Sequence, residues 1–231
     1  MRLAATEYDR FAALLRSLAP EEWTRPTACP DWDVRAMAAH TLGMAEMAAS
    51  IREGRRQQKA ATKRGGAFLD ALTALQVEER THLTADQLTQ RYETIGPRAA
   101  RARRRTPGLI RRHAMPVPQV VAGQPETWTF GYLIDTILTR DPWMHRIDIT
   151  RATGRHLNLT DDHDGAIVAD VVTEWAARHA AACHLDLTGP AGGTWTLGNG
   201  GPRIELDAIE FCRTLSGRGH ATGLLTTQVP F

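Results

Sequence analysis

Three ionisable side chains follow one another at helical spacing in the segment 139–148. Asp141, His145 and Asp148 occupy positions i, i+4 and i+7, which lie on one face of an α-helix. The preceding residues, 130–138, are apolar at helical spacing, so a helix that buries this stripe would also carry the three groups towards the core. Burying ionisable groups is costly unless something pairs with them. A divalent metal is one such partner, because it binds a neutral imidazole and a carboxylate directly.

The same segment also has an interpretation without a metal. An Asp141-Pro142 pair is typical of a helix start, with the aspartate as N-cap and the proline at the first helical position. Inside a continuous helix, Pro142 would remove a backbone hydrogen bond and cause a kink. His145 could be a hydrogen-bonded core histidine, and Asp148 could pair with a neighbouring arginine. Spacing alone leaves both interpretations open.

A second histidine is placed where it could join this group. His40 lies in the middle of a predicted helix among small apolar residues, which would allow another helix to approach closely. With His145 and an aspartate it could complete a three-ligand site, although the two histidines are too far apart in sequence for spacing to show this. Cys29 lies just before the same helix, whose N-terminus could activate a thiol, but capping and loop packing also explain that loop.

Composition limits the classes of protein to consider. The chain has 231 residues, of which 42% are hydrophobic and 23% charged, as in a soluble globular protein of one or two domains. The net charge of +2 does not favour a nucleic-acid or membrane partner, and no apolar run is long enough to span a bilayer. The three cysteines, at 29, 183 and 212, form no metal-type spacing. We therefore expect a cytoplasmic protein without a disulfide framework, whose metal site uses histidines and carboxylates.

Arginines cluster at 101, 103–105 and 111–112. Such a basic patch could meet phosphates, in which case binding of DNA or RNA should depend on salt. It lacks interleaved aromatic residues, and the rest of the chain balances its charge. A solvated helix end explains these arginines without a nucleic-acid partner.

Apolar periodicity and capping residues predict two domains. Residues 1–154 are expected to be all helical, and residues 155–231 to form a smaller α+β domain with a short antiparallel sheet. Residues 53–66 are polar, basic and end in Gly-Gly, which predicts a mobile loop. Asp31 or Asp33 is expected to cap the second helix, and Thr84 to open a capping box whose helix Pro97 should bend or break. The predicted helices cover 6–18, 31–52, 67–82, 84–105, 129–154, 161–176 and 207–217, and the predicted strands cover 184–188, 193–197 and 202–206.

Three stretches resemble the mycothiol-dependent maleylpyruvate isomerase family. They are RPTACPDWDVRAMAAH at 25–40, RDPWMHRIDITRATG at 140–154 and DAIEFCRTLSGR at 207–218, followed by the ending GLLTTQVPF. The resemblance implies an α+β, two-domain fold, in which a DinB-like four-helix bundle precedes a small α+β domain. It covers both domains in the same order.

The resemblance also implies a divalent metal, usually zinc, held by His40, Asp141 and His145. The open coordination positions would take water or the sulfur of mycothiol. Asp148 would orient an imidazole or a metal-bound water, and Arg218 in the Ser-Gly-Arg motif would hold a substrate carboxylate. The family's isomerases commonly carry glutamate at the acid position, whereas this chain has the shorter Asp141.

The function implied is that of a mycothiol-dependent isomerase or S-transferase. A metal-activated thiolate would add to a small electrophile, with neither nucleic acid nor membrane as partner. Isomerisation and S-transfer would use the same metal site, so the sequence does not separate them. The alternative from another class is a non-catalytic, metal-dependent binding or stress-response module on the same bundle.

Overall fold

The computed structural model describes residues 2–231, which divide into two compact units. The first unit extends to Gln119 and resumes over Pro125–His156, and the second comprises Val120–Gln124 and Leu157–Phe231. We propose that these units correspond to the domains 1–154 and 155–231. Among the described residues, no helix combines the length and apolar character that crossing a membrane requires.

The first unit is built on a four-helix bundle. Helices α1, α2, α5 and α8 pack against one another around a core that includes Phe11, Met37, Leu88 and Ile149, all fully buried. The helices of this unit are α1 (Arg2–Ser17), α2 (Val34–Ala49), α3 (Ile51–Arg64), α4 (Phe68–Glu78), α5 (Ala85–Arg105), α6 (Gly108–Arg112), α7 (Phe130–Tyr132) and α8 (Leu138–Thr153). Where the chain leaves the first unit after Gln119 and returns at Pro125, two strands, β1 (Gln119–Val121) and β2 (Gln124–Glu126), form a short hairpin that the sequence did not predict.

Local capping signals account for where the bundle helices begin. Asp33 caps α2, since its carboxylate accepts a hydrogen bond of 2.7 Å from the backbone N–H of Ala36. Thr84 and Gln87 form a reciprocal capping box at the start of α5. Pro97 was expected to bend or break this helix. Helix α5 continues past Pro97 to Arg105, so the expected break is wrong.

The prediction of a mobile loop over 53–66 is also wrong, because residues Ile51–Arg64 form α3. Ser50 caps this helix through the N–H of Glu53, and Arg56 pairs with the Glu53 carboxylate on the same face. The buried stripe is narrow and partly polar: Gln57 is fully buried and donates to the carbonyl of Gly43 at 3.1 Å. The segment lacks the apolar stripe by which a helix is usually recognised, because polar contacts with its neighbours stabilise it instead. Its composition therefore suggested a loop.

The second unit combines two helices with a three-stranded sheet. Its elements are α9 (Ala166–His179), β3 (Cys183–Thr188), β4 (Gly193–Leu197), β5 (Arg203–Asp207) and α10 (Ala208–Leu215). Strand β3 is central and pairs antiparallel with β4 but parallel with β5. The sheet is therefore mixed instead of wholly antiparallel. Alternation of apolar residues indicates which side chains share a face, but not the direction in which a third strand pairs.

Candidate metal centre

Two histidines and one aspartate meet between α2 and α8. The Nε2 atom of His40 lies 3.2 Å from Oδ1 of Asp141, and Nε2 of His145 lies 3.4 Å from the same oxygen. The two imidazole rings are perpendicular, with centroids 5.3 Å apart. The fold thus brings together His40, Asp141 and His145, although His40 and Asp141 are 101 positions apart in the chain.

These three side chains are largely removed from solvent. Their exposed fractions are 4% for His40, 12% for Asp141 and 8% for His145. Trp32, in the loop before α2, covers both imidazoles, with ring centroids 4.9 Å from His40 and 5.9 Å from His145. Trp32 belongs to the motif at 25–40, but nothing in its spacing links it to α8, so its place at the site could not be predicted from the sequence.

Asp141 lies within α8, so the interpretation of Asp141-Pro142 as a helix start is wrong. A π-helical turn, Leu133–Ile137, leads directly into α8 at Leu138. Pro142 has no N–H to donate to the carbonyl of Leu138 one turn earlier. That carbonyl instead accepts a hydrogen bond of 2.8 Å from Nη1 of Arg103 on α5. A side chain from another helix therefore allows the proline inside the helix that carries Asp141 and His145.

Arg103 also supports the turn before α8. Its Nε donates to the carbonyl of Ile134 at 2.8 Å, and its Nη2 donates to the hydroxyl of Thr139. The residue is only 2% exposed, so the predicted solvated helix end does not describe it. The arginine run carried no signal that distinguished Arg103 from exposed neighbours such as Arg104.

The charges within the cluster stabilise one another in the metal-free protein. Burial alone would raise the pKa of Asp141, but the facing imidazoles of His40 and His145 outweigh burial and hold it well below its ordinary value. Burial alone would lower the pKa of His145, whereas Asp141, Asp148 and Cys29 together raise it well above its usual range. The carboxylate is thus ionised, as a metal ligand must be.

The donor atoms fit a divalent cation. Four-coordinate zinc with bonds of about 2.0–2.1 Å separates neighbouring ligand atoms by roughly 3.3 Å, close to the observed 3.2 and 3.4 Å. The second carboxylate oxygen of Asp141, Oδ2, is buried without a hydrogen-bond partner, which is unusual for such an oxygen. Two imidazoles and one carboxylate form a donor set typical of catalytic zinc sites with an open position.

Asp148 lies on the opposite edge of the His145 ring. Its Oδ2 is 3.4 Å from Nδ1 of His145, and its side chain is fully buried. A carboxylate at this position favours the tautomer with its proton on Nδ1, which leaves Nε2 free to bind a metal. Asp148 therefore contacts His145 without belonging to the cluster of His40, Asp141 and His145.

We predict that Asp148→Asn weakens binding of a metal at His40, Asp141 and His145 by about 10–100-fold without abolishing it. A loss of this size is typical when a partner of a ligating histidine is removed. Competition with a chelator of known affinity would measure the change. Asp86→Asn, at an exposed position of α5, is the control and should leave affinity unchanged. Unaltered affinity in the Asp148 variant would contradict the supporting role, and complete loss of metal would make Asp148 a direct ligand.

Arg218, the residue predicted to hold a substrate carboxylate, lies in the second unit. It follows α10, is half-buried, and its backbone N–H donates to the carbonyl of Arg213 at 2.8 Å. This contact anchors the turn after the helix. The role of its guanidinium in substrate binding stays a prediction.

The fold and the cluster together define a helical-bundle protein with a metal-type site. Over residues 4–150 the chain matches the family described as the mycothiol maleylpyruvate isomerase N-terminal domain, and it belongs to that family. A search among curated proteins found no significant match.

Two solved structures share the fold. The crystal structure of the mycothiol-dependent maleylpyruvate isomerase aligns with a TM-score of 0.57 at 17% identity, covering 94% of this chain and 88% of that one. A histidine-to-alanine mutant of that isomerase aligns with a TM-score of 0.56, at the same identity and coverage. The alignments span both units of the chain and agree with the α+β, two-domain fold class.

Proposed function

We propose that this protein is a metal- and mycothiol-dependent enzyme that promotes addition of a thiolate to a small electrophile. The observation that carries the proposal is the convergence of His40, Asp141 and His145 on one buried point, in a chain of the mycothiol maleylpyruvate isomerase family. Isomerisation and S-transfer both begin with this addition and belong to the same proposal.

His40, Asp141 and His145 would hold the metal, for which we propose zinc. A bound divalent cation lowers the pKa of a coordinated thiol, so that mycothiol would be present as its thiolate at neutral pH. Asp148 would accept a hydrogen bond from the Nδ1–H of His145 and so keep Nε2 directed towards the cluster. Trp32 shields the imidazole faces from water, which strengthens electrostatic interactions within the site.

The proposed reaction starts when the thiolate sulfur forms a bond to a conjugated alkene carbon of the substrate. The π electrons move onto the adjacent carbonyl, and the former double bond becomes free to rotate. Expulsion of the sulfur with its electron pair restores the double bond in the trans geometry and regenerates the thiolate. When the substrate carries a leaving group, that group departs with the electrons and the conjugate is released as an S-transfer product.

Substrate binding would use the arginine that the family motif indicates. A guanidinium matches a carboxylate with two parallel hydrogen bonds, so Arg218 is proposed to hold a carboxylate of the substrate. Asp141 is one methylene shorter than the glutamate common in the family's isomerases. This difference bears on the geometry of the site and makes the choice between isomerisation and S-transfer a matter for experiment.

The test is calorimetric titration of the metal-loaded protein with mycothiol, followed by product analysis. We expect one equivalent of thiol to bind with release of a proton, and no binding to the metal-free protein. With maleylpyruvate, turnover that regenerates mycothiol would indicate isomerisation. With an electrophile that carries a leaving group, stoichiometric consumption of mycothiol would indicate S-transfer. If the metal-loaded protein does not bind mycothiol, the enzyme proposal is contradicted, and a non-catalytic metal-dependent binding or stress-response module is favoured.

A further inference from the structure

A second cluster of ligand-type atoms lies beside the first and shares only His145 with it. The sulfur of Cys29, a ring nitrogen of His145 and a carboxylate oxygen of Asp148 lie within 4.8 Å of one another. Because Nε2 of His145 faces Asp141 and Nδ1 faces Asp148, the ring presents one nitrogen to each cluster. A metal site without cysteine was expected, because Cys29, Cys183 and Cys212 show no metal-type spacing in the sequence.

The loop before α2 holds Cys29 against α8. The Thr27 hydroxyl donates to the carbonyl of Trp32 at 2.9 Å and accepts a hydrogen bond of 3.2 Å from the N–H of Cys29. The N–H of Trp32 in turn donates to the carbonyl of Cys29 at 3.2 Å. These contacts close the loop into a compact turn and hold the backbone of Cys29 through both its N–H and its carbonyl.

Cys29 also differs from the other two cysteines in access. It is half-buried, whereas Cys183 and Cys212 are fully buried in the second unit. A cation could therefore reach Cys29 from solvent, while Asp148, at 0% exposed, closes the inner side. A partly open sulfur above a buried carboxylate and an imidazole has the form of a three-ligand site with an accessible remaining position.

We infer that Cys29, Asp148 and Nδ1 of His145 form a second cation position, selective for thiophilic divalent metals such as zinc, cadmium or cobalt. A thiolate, an imidazole nitrogen and a carboxylate suit such metals, whereas the first cluster has no sulfur. The Nδ1–Oδ2 separation of 3.4 Å equals the spacing of about 3.3–3.4 Å expected between neighbouring ligands of tetrahedral zinc.

Binding of this second cation releases the Cys29 thiol proton and the Nδ1 proton of His145 to solvent. The imidazole then bridges the two positions through its two nitrogens. Two negatively charged ligands, the Cys29 thiolate and the Asp148 carboxylate, offset the charge of the cation in a buried setting, where unpaired charge is costly. Asp148 thus changes from a hydrogen-bond acceptor of His145 to a metal ligand when the second cation binds.

Cobalt(II) substitution tests this inference, because a cobalt–thiolate bond gives a near-ultraviolet charge-transfer band that nitrogen and oxygen ligands do not give. The reduced, metal-free protein is titrated with cobalt in the absence of any added thiol. We expect wild type to bind two equivalents and to develop the band with the second. Cys29→Ser should bind one equivalent without the band, and His145→Ala should lose both equivalents.

His40→Ala is the matched variant, because His40 belongs only to the first cluster. It should lose one equivalent and keep the thiolate band. Circular dichroism on every variant establishes that the helices persist. One equivalent and no band in wild type at saturating cobalt, or a band that survives Cys29→Ser, would overturn the inference. Neither result would bear on the first site, because its metal is measured separately as the equivalent lost in His40→Ala.

Discussion

Replacing His40 or His145 with alanine is expected to lower the affinity for the first metal equivalent by more than about 100-fold. Losing a residue that only hydrogen-bonds to a ligand already lowers metal affinity by about 10–100-fold. Each histidine supplies an Nε2 atom 3.2 or 3.4 Å from Oδ1 of Asp141, and the remaining two donors leave the cation poorly held. Thiol-dependent activity should fall to background. Elemental analysis after dialysis, with enzyme assays on the same samples, measures both effects.

His113→Ala is the control for these variants, because His113 is exposed and lies in the same unit. It should retain wild-type metal content and activity. Circular dichroism should show a folded helical protein in all three variants, so that loss of metal is not confused with unfolding. Full metal occupancy in either the His40 or the His145 variant would show that the ligand assignment is wrong.

The sequence predicted those parts of the site that depend on local periodicity. Asp141 and His145 are one turn apart, so any helix through them places both on one face. Capping residues act only on the first helical turn. Asp33, one of the two expected caps of α2, and Thr84, the expected cap of α5, both begin their helices. The approach of His40 to Asp141 depends on how α2 packs against α8, and the resemblance to a family, not spacing, supplied it.

The features that the sequence did not predict depend on contacts between distant segments. Composition assigned residues 53–66 to a loop, yet Gln57 finds a buried carbonyl on α2 and the segment is helical. The Asp141-Pro142 pair is locally typical of a helix start, yet Arg103 supplies the hydrogen bond that Pro142 cannot make. In both cases a tertiary hydrogen bond overrides a local preference.

Arg103→Met is expected to destabilise the first unit by at least about 3 kcal/mol. The substitution keeps an unbranched side chain of similar length but removes the hydrogen bonds to the carbonyls of Ile134 and Leu138 and to the Thr139 hydroxyl. Each buried acceptor left without a donor costs about 1–3 kcal/mol. In a protein of this size, each kcal/mol lowers the unfolding midpoint by about 2–4 °C, which calorimetry would detect. Metal affinity should also fall, since these contacts hold the start of α8 in place.

Arg104→Met is the matched control, because it removes the same charge from an exposed neighbouring position of α5. It should shift the midpoint little, as expected of surface substitutions. A large shift in this variant would mean that the lost net charge, and not the buried hydrogen bonds, explains the effect of Arg103→Met.

Pro142→Ala tests which carbonyl accounts for the effect of Arg103. Alanine restores an N–H that can donate to the carbonyl of Leu138 within α8, so that this oxygen no longer depends on the guanidinium. We therefore expect Arg103→Met to cost at least about 1 kcal/mol less stability in the Pro142→Ala background than in the wild-type background. A coupling of this size is typical of residues that share a partner. Equal destabilisation in the two backgrounds would show that Arg103 acts through its other contacts, with Ile134, Thr139 and Tyr8. A reduced loss would show that the proline inside α8 depends on an arginine from α5.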